Sequence, residues 1–359
     1  DNNFEHYKID IHSQRTSFFD FIKHIEIVPL EETEESLMPR IEFYYKLNDG
    51  FGIRDYNTNS LVLFEEDGTL RNVINRFGEG PEEYRNLGTV WEENGVINLF
   101  SSQSRSVLRF DLEGNYLETV FVKYPKTIWG GILTPYKNGY VVHMLDRSPI
   151  NRASHQLMFL DNSLSFRSFG AVENNPHPFK PNMGHRFSYL NEKLIWKKQL
   201  SDSIFIIEND RPEPFMRFDF GEDWTWSDPL VSSNMKTALN AIRKEETKVW
   251  EVLSEVSERY VLLTYKFTIT KGAKGLIDRK AGKFYRLDMR KKNREDYDVI
   301  FLQWEGDRLV SSLQAYDLEE FLKNLNEDQY SIAGGLKYED FKYSENPVLL
   351  RIKFKDSLK

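Results

Sequence analysis

Glycine returns at positions 50, 95 and 139, at intervals of 45 and 44 residues, each time in a tight turn that precedes an apolar run. The turns are Asn48-Asp49-Gly50, Asn94-Gly95 and Asn138-Gly139, and each is followed by a second hairpin signal, at Asp67-Gly68, Glu113-Gly114 and Asp161-Asn162. Such pairs favour the left-handed backbone that a two-residue hairpin needs. The units close on Phe77-Gly78, Phe169-Gly170 and Phe220-Gly221, which fall on nearly the same lattice, with the second copy lacking one. Four short strands repeated about every 45 residues are the signature of a β-propeller blade, because each such sheet can bury its faces only against its neighbours.

Taken in order, the first unit has strands over 41–47, 51–55, 61–64 and 70–77. The second has 90–91, 96–100, 107–110 and 116–122, and the third has 140–145, 157–160 and 164–169. The fourth runs through Tyr189, 194–196, 204–207 and 215–220. An insertion follows: Asp228-Pro229 opens a helix with an acidic cap and a first-turn proline. Val231, Met235, Ala238, Leu239 and Ile242 then recur at helical spacing, to an end near Glu245. Strands resume over 252–256, 260–267, 276–277 and 281–287, then 299–304 and 309–313. A second insertion carries a short helix over 318–325, and 348–354 closes the chain. That last run matches the third strand of the earlier units, and no fourth strand follows it. The unassigned run 25–30, in which Pro29 suggests an edge position or a strand end, is therefore expected to supply the missing outer strand, since a propeller left open exposes raw edges. The expectation is one all-β domain over 1–359: a six-bladed β-propeller of four-stranded antiparallel blades, ring-closed by an N-terminal strand, with helical insertions after blade four and within blade six.

Composition narrows the function. A net charge of -8 lacks the basic footprint of a nucleic-acid binder. There is no cysteine, so disulfides, thiol nucleophiles and Cys-ligated metals are excluded. No apolar run approaches the ~20 residues of a membrane-spanning helix. Residues 1–12 lack the apolar core of a signal peptide, and the start at Asp1 reads as a trimmed end.

The seam Arg76-Phe77-Gly78-Glu79-Gly80-Pro81-Glu82-Glu83-Tyr84 resembles the R-x-G-x-G-P-G-E-[FY] motif of a six-bladed, NHL-like β-propeller family of Bacteroides-type bacteria. The likeness extends to the start Ile27-Val28-Pro29-Leu30-Glu31 and the ending Asn346-Pro347-Val348-Leu349-Leu350, and so to nearly the whole chain. Glu82 departs from the pattern, which has glycine there. The resemblance implies an exported lipoprotein in the periplasm or outer membrane, anchored through a removed N-terminus. It carries over no catalytic residue and no cofactor.

The remaining motifs read as structure first. Gly78-x-Gly80 lacks the third glycine and following helix of a dinucleotide fingerprint. His177 and His185 share one loop, but no third ligand accompanies them. Glu83 either accepts backbone N–H bonds in the seam or faces a ligand. The long loops fall on one side of the blades and carry Trp129, His177, Phe179, Trp224 and Trp226, while the other side has only tight turns. Loop aromatics on a rigid scaffold can stack on sugars or anchor a protein, or they pack the inserted helix. The first functional reading is therefore a non-catalytic binding propeller whose partner is a glycan, a peptide or another envelope protein. The alternative is a calcium-dependent, lactonase-like hydrolase, which needs carboxylates such as Glu83, Glu92, Glu255 and Glu305 to converge on a central channel.

Overall fold

Short alternating runs joined by tight turns can satisfy their backbone groups only by pairing with each other, and they do so six times over. The computed structural model describes residues 4–123, 131–144, 154–173, 185–231, 233–244, 247–293 and 295–356. Its six sheets are the blades of a β-propeller, each with a four-stranded antiparallel body. Blade one is Tyr44–Leu47, Gly50–Asp55, Ser60–Phe64 and Leu70–Ile74; blade two is Val90–Glu93, Val96–Ser101, Ser106–Phe110 and Tyr116–Phe121. Blade three is Ile132–Pro135, Gly139–His143, Ser154–Asp161 and Phe166–Glu173, whose first strand has too brief an alternation to be read from sequence. Blade four is Phe187–Leu190, Lys193–Lys197, Ser203–Glu208 and Arg211–Asp219; blade five is Glu251–Val256, Tyr260–Lys266, Gly272–Asp278 and Lys283–Asp288. Blade six takes Ile300–Glu305, Arg308–Leu313 and Val348–Phe354 from late in the chain and Ile22–Val28 from its start.

The repeating glycine has a steric cause at two of its three positions. A Cβ on Gly50 would stand 2.2 Å from the Phe64 carbonyl oxygen, and one on Gly139 would stand 2.2 Å from that of Leu160. At both places the second strand begins hard against the backbone of the third, and only glycine allows that approach.

The expected closing strand is present. Ile22–Val28 pairs antiparallel with Val348–Phe354, setting Ile25 opposite Ile352 and Ile27 opposite Leu350. Ile22, Ile25, Ile27 and Val28 are fully buried, and each contributes roughly 1.5–3 kcal/mol of apolar burial. The strand stops before Pro29, which has no N–H to donate.

Three further strands add to outer edges, and the sequence reading contained none of them. Glu5–Lys8 lies parallel to Arg211–Asp219 in blade four, Arg15–Ser17 lies parallel to Lys283–Asp288 in blade five, and Tyr330–Ile332 lies parallel to Ile22–Val28 in blade six. Buried Tyr7, Ile9 and Ile11 fix the N-terminal segment, and Arg279 donates to the Glu5 carboxylate at 2.5 Å.

Contacts group the chain into two compact units. One comprises Asp1–Ser17, His143–Phe159 and Arg167–Asp288. Its core joins Tyr7, Ile9 and Ile11 to Ile204, Phe215, Met216, Val261, Leu263 and Ile277. The other comprises Phe18–Val142, Leu160–Phe166 and Met289–Lys359. Its core includes Ile41, Tyr44, Phe51, Phe64, Val310 and Leu349, and a second cluster around Leu61, Tyr84, Leu99 and Phe110.

Both helical insertions fall where the sequence places them. The first, after blade four, is two helices rather than one: α1, Asp228–Val231, and α2, Met235–Lys244. Between them the Asn234 side chain accepts the Thr237 N–H at 3.0 Å, and its carbonyl accepts that of Ala238 at 3.1 Å. Asn234 is thus the N-cap of a fresh helix. The apolar spacing runs through the break, which is why the pattern reads as continuous. The second insertion, within blade six, holds α3, Ala315–Leu322, the strand Tyr330–Ile332 and the single turn α4, Tyr338–Phe341.

Candidate functional site

The residues singled out from sequence are dispersed. Trp129, His177 and Phe179 lie outside the described residues. Trp226 is buried in a cluster with Leu200, Ala238, Ile242 and Trp250, and its Nε1–H donates to the Trp250 carbonyl at 2.6 Å. Its indole packs the first insertion and offers no open face. Trp224 is half-buried and stacks on Phe220, with ring centroids 5.5 Å apart and planes 15° from parallel. In the seam, Glu83 Oε2 accepts the Gly80 N–H at 2.7 Å, while Phe77 and Tyr84 bridge the two arms. Tyr84 is fully buried, its hydroxyl donates to the Asn59 carbonyl at 2.8 Å, and burial pushes the phenol up to about 12.

The inner-strand carboxylates are each held by a protein donor. Glu92 accepts the Asn48 N–H at 2.6 Å, Glu305 accepts the Tyr44 hydroxyl at 2.6 Å, and Glu255 accepts the Lys197 ammonium at 2.7 Å. Among the described residues no group of three or more His, Asp or Glu is placed to hold a metal ion.

Two buried ion pairs escaped the sequence reading. Lys197, in blade four, meets Glu255 of blade five, and Arg186 meets Glu251 at 3.2 Å with both side chains about 1% exposed. Glu251 also accepts the Leu200 N–H at 3.2 Å. Burial pushes both carboxyls up and the cations only partly offset it. Such pairs serve structure: removing one partner leaves a buried charge stranded, at a cost of about 3–5 kcal/mol. In sequence these residues look like any charged strand end, because their neutralising partners are about 60 residues away.

The second insertion is built differently and leaves an opening. Ala315, Leu318 and Phe321 recur at helical spacing and are buried, and Phe321 sets its ring edge-on to Phe19 at 5.0 Å and Tyr297 at 5.2 Å. Asn326 and Gln329 then cap a short turn, and Gln329 Nε2–H donates to the Ile22 carbonyl at 3.0 Å. This turn delivers Tyr330–Ile332 to the edge of blade six. Past Gly334-Gly335 the chain enters α4 with the Asp340 carboxylate accepting the Lys337 N–H at 2.7 Å. At the far end Glu32 collects the Ser344 hydroxyl and the Glu345 N–H, both at 2.7 Å, and the Asn346 N–H at 3.2 Å. Those donors hold its carboxyl below the usual range, the Ser344 hydroxyl foremost. The buried Asn346 amide accepts the Met38 N–H at 2.8 Å and donates to the Ser36 carbonyl at 3.1 Å.

Between these anchored ends lies a cleft of about 640 Å³. Its lining is Glu319, Leu322 and Lys323 of α3, then Leu325, then Tyr330, Ser331 and Ile332, then Leu336, Lys337 and Tyr338. Four aliphatic side chains and two tyrosines give it an apolar character suited to ligand contact. Its polar side chains are those of Glu319, Lys323, Ser331 and Lys337, with the two tyrosine hydroxyls. Lys323 and Glu319 satisfy each other at 2.7 Å, and partial burial beside Glu319 raises the Tyr338 phenol. The lining contains no histidine, and its one carboxylate, Glu319, is paired with Lys323. The sequence places a short helix over 318–325 in this insertion but marks none of the lining residues as a site, since Ile332 and Leu336 sit outside any periodic pattern.

The chain belongs to the family described as a domain of unknown function, DUF4934, which matches residues 6–353. Among solved structures it is similar to a candidate exported protein of Bacteroides fragilis, with a TM-score of 0.79 at 13% identity, over 98% of this chain and 100% of that one. It is also similar to a member of the DUF4221 family from Bacteroides vulgatus, with a TM-score of 0.52 at 12% identity, over 94% and 98%. At these identities the likeness is one of fold alone. No curated protein matches the sequence.

Proposed function

We propose that this DUF4934 chain is a non-catalytic binding propeller of the cell envelope, and that the blade-six insertion is the surface it binds with. The observation that carries this reading is the open cleft, lined by Leu322, Leu325, Ile332, Leu336, Tyr330 and Tyr338 and held at both ends by anchored backbone. Its partner class is a glycan, a peptide or another envelope protein. Screening arrays of envelope glycans and peptides against the wild type and Leu336→Glu tests it. Leu336 is 42% exposed, so the charge is expected to abolish binding and leave the melting temperature unchanged. Binding that survives the substitution contradicts the assignment. Trp224→Ala in the same screen tests the other candidate surface, where binding is expected to persist.

We further propose that the protein is exported and held as a lipoprotein of the periplasm or outer membrane. Support comes from the seam-motif resemblance and the exported fold neighbour. No helix among the described residues is long and apolar enough to cross a membrane. Fractionation of cells expressing the full-length gene is expected to find it with the membrane; recovery in the cytoplasm contradicts this.

A further inference from the structure

We infer that the blade-six cleft takes an extended peptide segment by strand addition to Tyr330–Ile332, with a carboxylate of that segment held by Lys337. This rests on the reading of the insertion as the binding surface and names its ligand class.

Tyr330–Ile332 is the last strand of the blade-six sheet. One edge pairs with Ile22–Val28, and among the described residues no strand lies on the other. All three of its residues line the cleft. The strand is thus both the terminal strand of its sheet and part of the cleft's lining, and an unpaired strand edge is the template for strand addition.

The chain already uses this device on itself. Glu5–Lys8 and Arg15–Ser17, of four and three residues, add in parallel to the outer edges of blades four and five, and Tyr330–Ile332 does so in blade six. Segments this short hold because neighbouring side chains are buried beside them, as Tyr7, Ile9 and Ile11 are. In the cleft Leu322, Leu325 and Leu336 offer the equivalent apolar surface.

Charge then selects among peptides. Glu319 is held by Lys323, Glu339 is held by Lys342, and the Asp340 carboxylate accepts the Lys337 backbone N–H. The Lys337 ammonium has no ion-pair partner among the described residues. One cation in the lining is thus uncommitted, and a single carboxylate complements it. A polyacidic segment is disfavoured by the protein's net charge of -8. A glycan cannot offer alternating donors and acceptors at the ~3.3 Å repeat of a strand.

The test is fluorescence anisotropy of the full chain with a labelled heptapeptide of alternating valine and serine and a free C-terminal carboxylate. Parallel arms use the same peptide amidated, the amidated peptide with one central aspartate, and two versions N-methylated at alternate amides in opposite registers. The carboxylate source is whichever arm, terminal or side-chain, retains affinity. One N-methylated register is expected to bind at least tenfold more weakly than the parent, while the other binds like it. Lys337→Gln is expected to weaken the acid peptides about tenfold and leave the amide and the melting temperature unchanged. The inference is overturned if both N-methylated peptides bind like the parent, if Lys337→Gln weakens acid and amide alike, or if no peptide binds. A glycan whose binding is lost in Leu336→Glu, with no peptide bound, would sink strand addition and leave the binding-surface reading standing.

Discussion

The two helical insertions begin from the same sequence device, an amphipathic helix between strands, and end differently. The one after blade four is sealed: Trp226 and Trp250 fill the space under α2, and Ala238 and Ile242 close over them. The one within blade six uses Ala315, Leu318 and Phe321 for packing, and its next segment is committed to the sheet edge. Leu322, Leu325, Ile332 and Leu336 are then left bordering an open cleft. Apolar periodicity shows that a helix will pack. The apolar surface remaining after it has packed is what points to a partner.

If that contrast is right, the insertions respond oppositely to substitution. Trp226→Ala removes a buried indole and its hydrogen bond, and is expected to cost about 3–5 kcal/mol in urea denaturation. Lys197→Met, which strands the Glu255 carboxylate, is expected to cost a similar ~3–5 kcal/mol. Its pH dependence has a definite sign. Burial already raises the Glu255 carboxyl in the folded state, so the folded protein binds that proton more tightly than the unfolded chain. The group's favourable contribution is complete below the unfolded value, ~4.3, and is lost as pH rises through the raised folded value. Lys197→Met is therefore expected to be more harmful at pH 8 than at pH 5; a flat profile would mean that Glu255 is solvated.

In the second insertion only the anchors should matter. Asn346→Ala leaves the Met38 N–H and Ser36 carbonyl unpaired inside the protein and is expected to cost about 1–3 kcal/mol. Leu336→Ala is expected to stay within about 0.5 kcal/mol of wild type. A cost near that of Trp226→Ala would show that the cleft is closed in solution. A small, pH-dependent effect belongs to Glu32. Its carboxyl is held below the ordinary range, so the tether it makes to Ser344, Glu345 and Asn346 is present above the unfolded value and released as pH falls through the lower folded one. Release of the tether lowers the protection of amides 345–346 relative to their intrinsic exchange at the same pH, and Glu32→Gln should abolish that acid-dependent loss while changing stability by under about 1 kcal/mol.

Much of the fold was legible because strand alternation and turn chemistry are local. The closing strand is legible because 348–354 lacks a partner and 25–30 lacks a blade. The added strands Glu5–Lys8 and Arg15–Ser17 were not legible, because three or four residues carry too little pattern and a sheet edge in another blade sets their register. Site residues are less legible for a related reason. Trp226 reads from sequence as a loop aromatic that either meets a ligand or packs the inserted helix, and which way its indole faces is decided by α2 folding back over it. Lys337 and Leu336 carry no signal of their own, and become a surface only when α3 and Tyr330–Ile332 are brought beside them.

Hydrogen–deuterium exchange with and without the valine–serine heptapeptide tests the binding account most directly. Slowed exchange confined to the stretch 330–337, with α2 unchanged, is the result expected. Protection that leaves 330–332 unaffected, or that appears first over the sealed insertion, would contradict it.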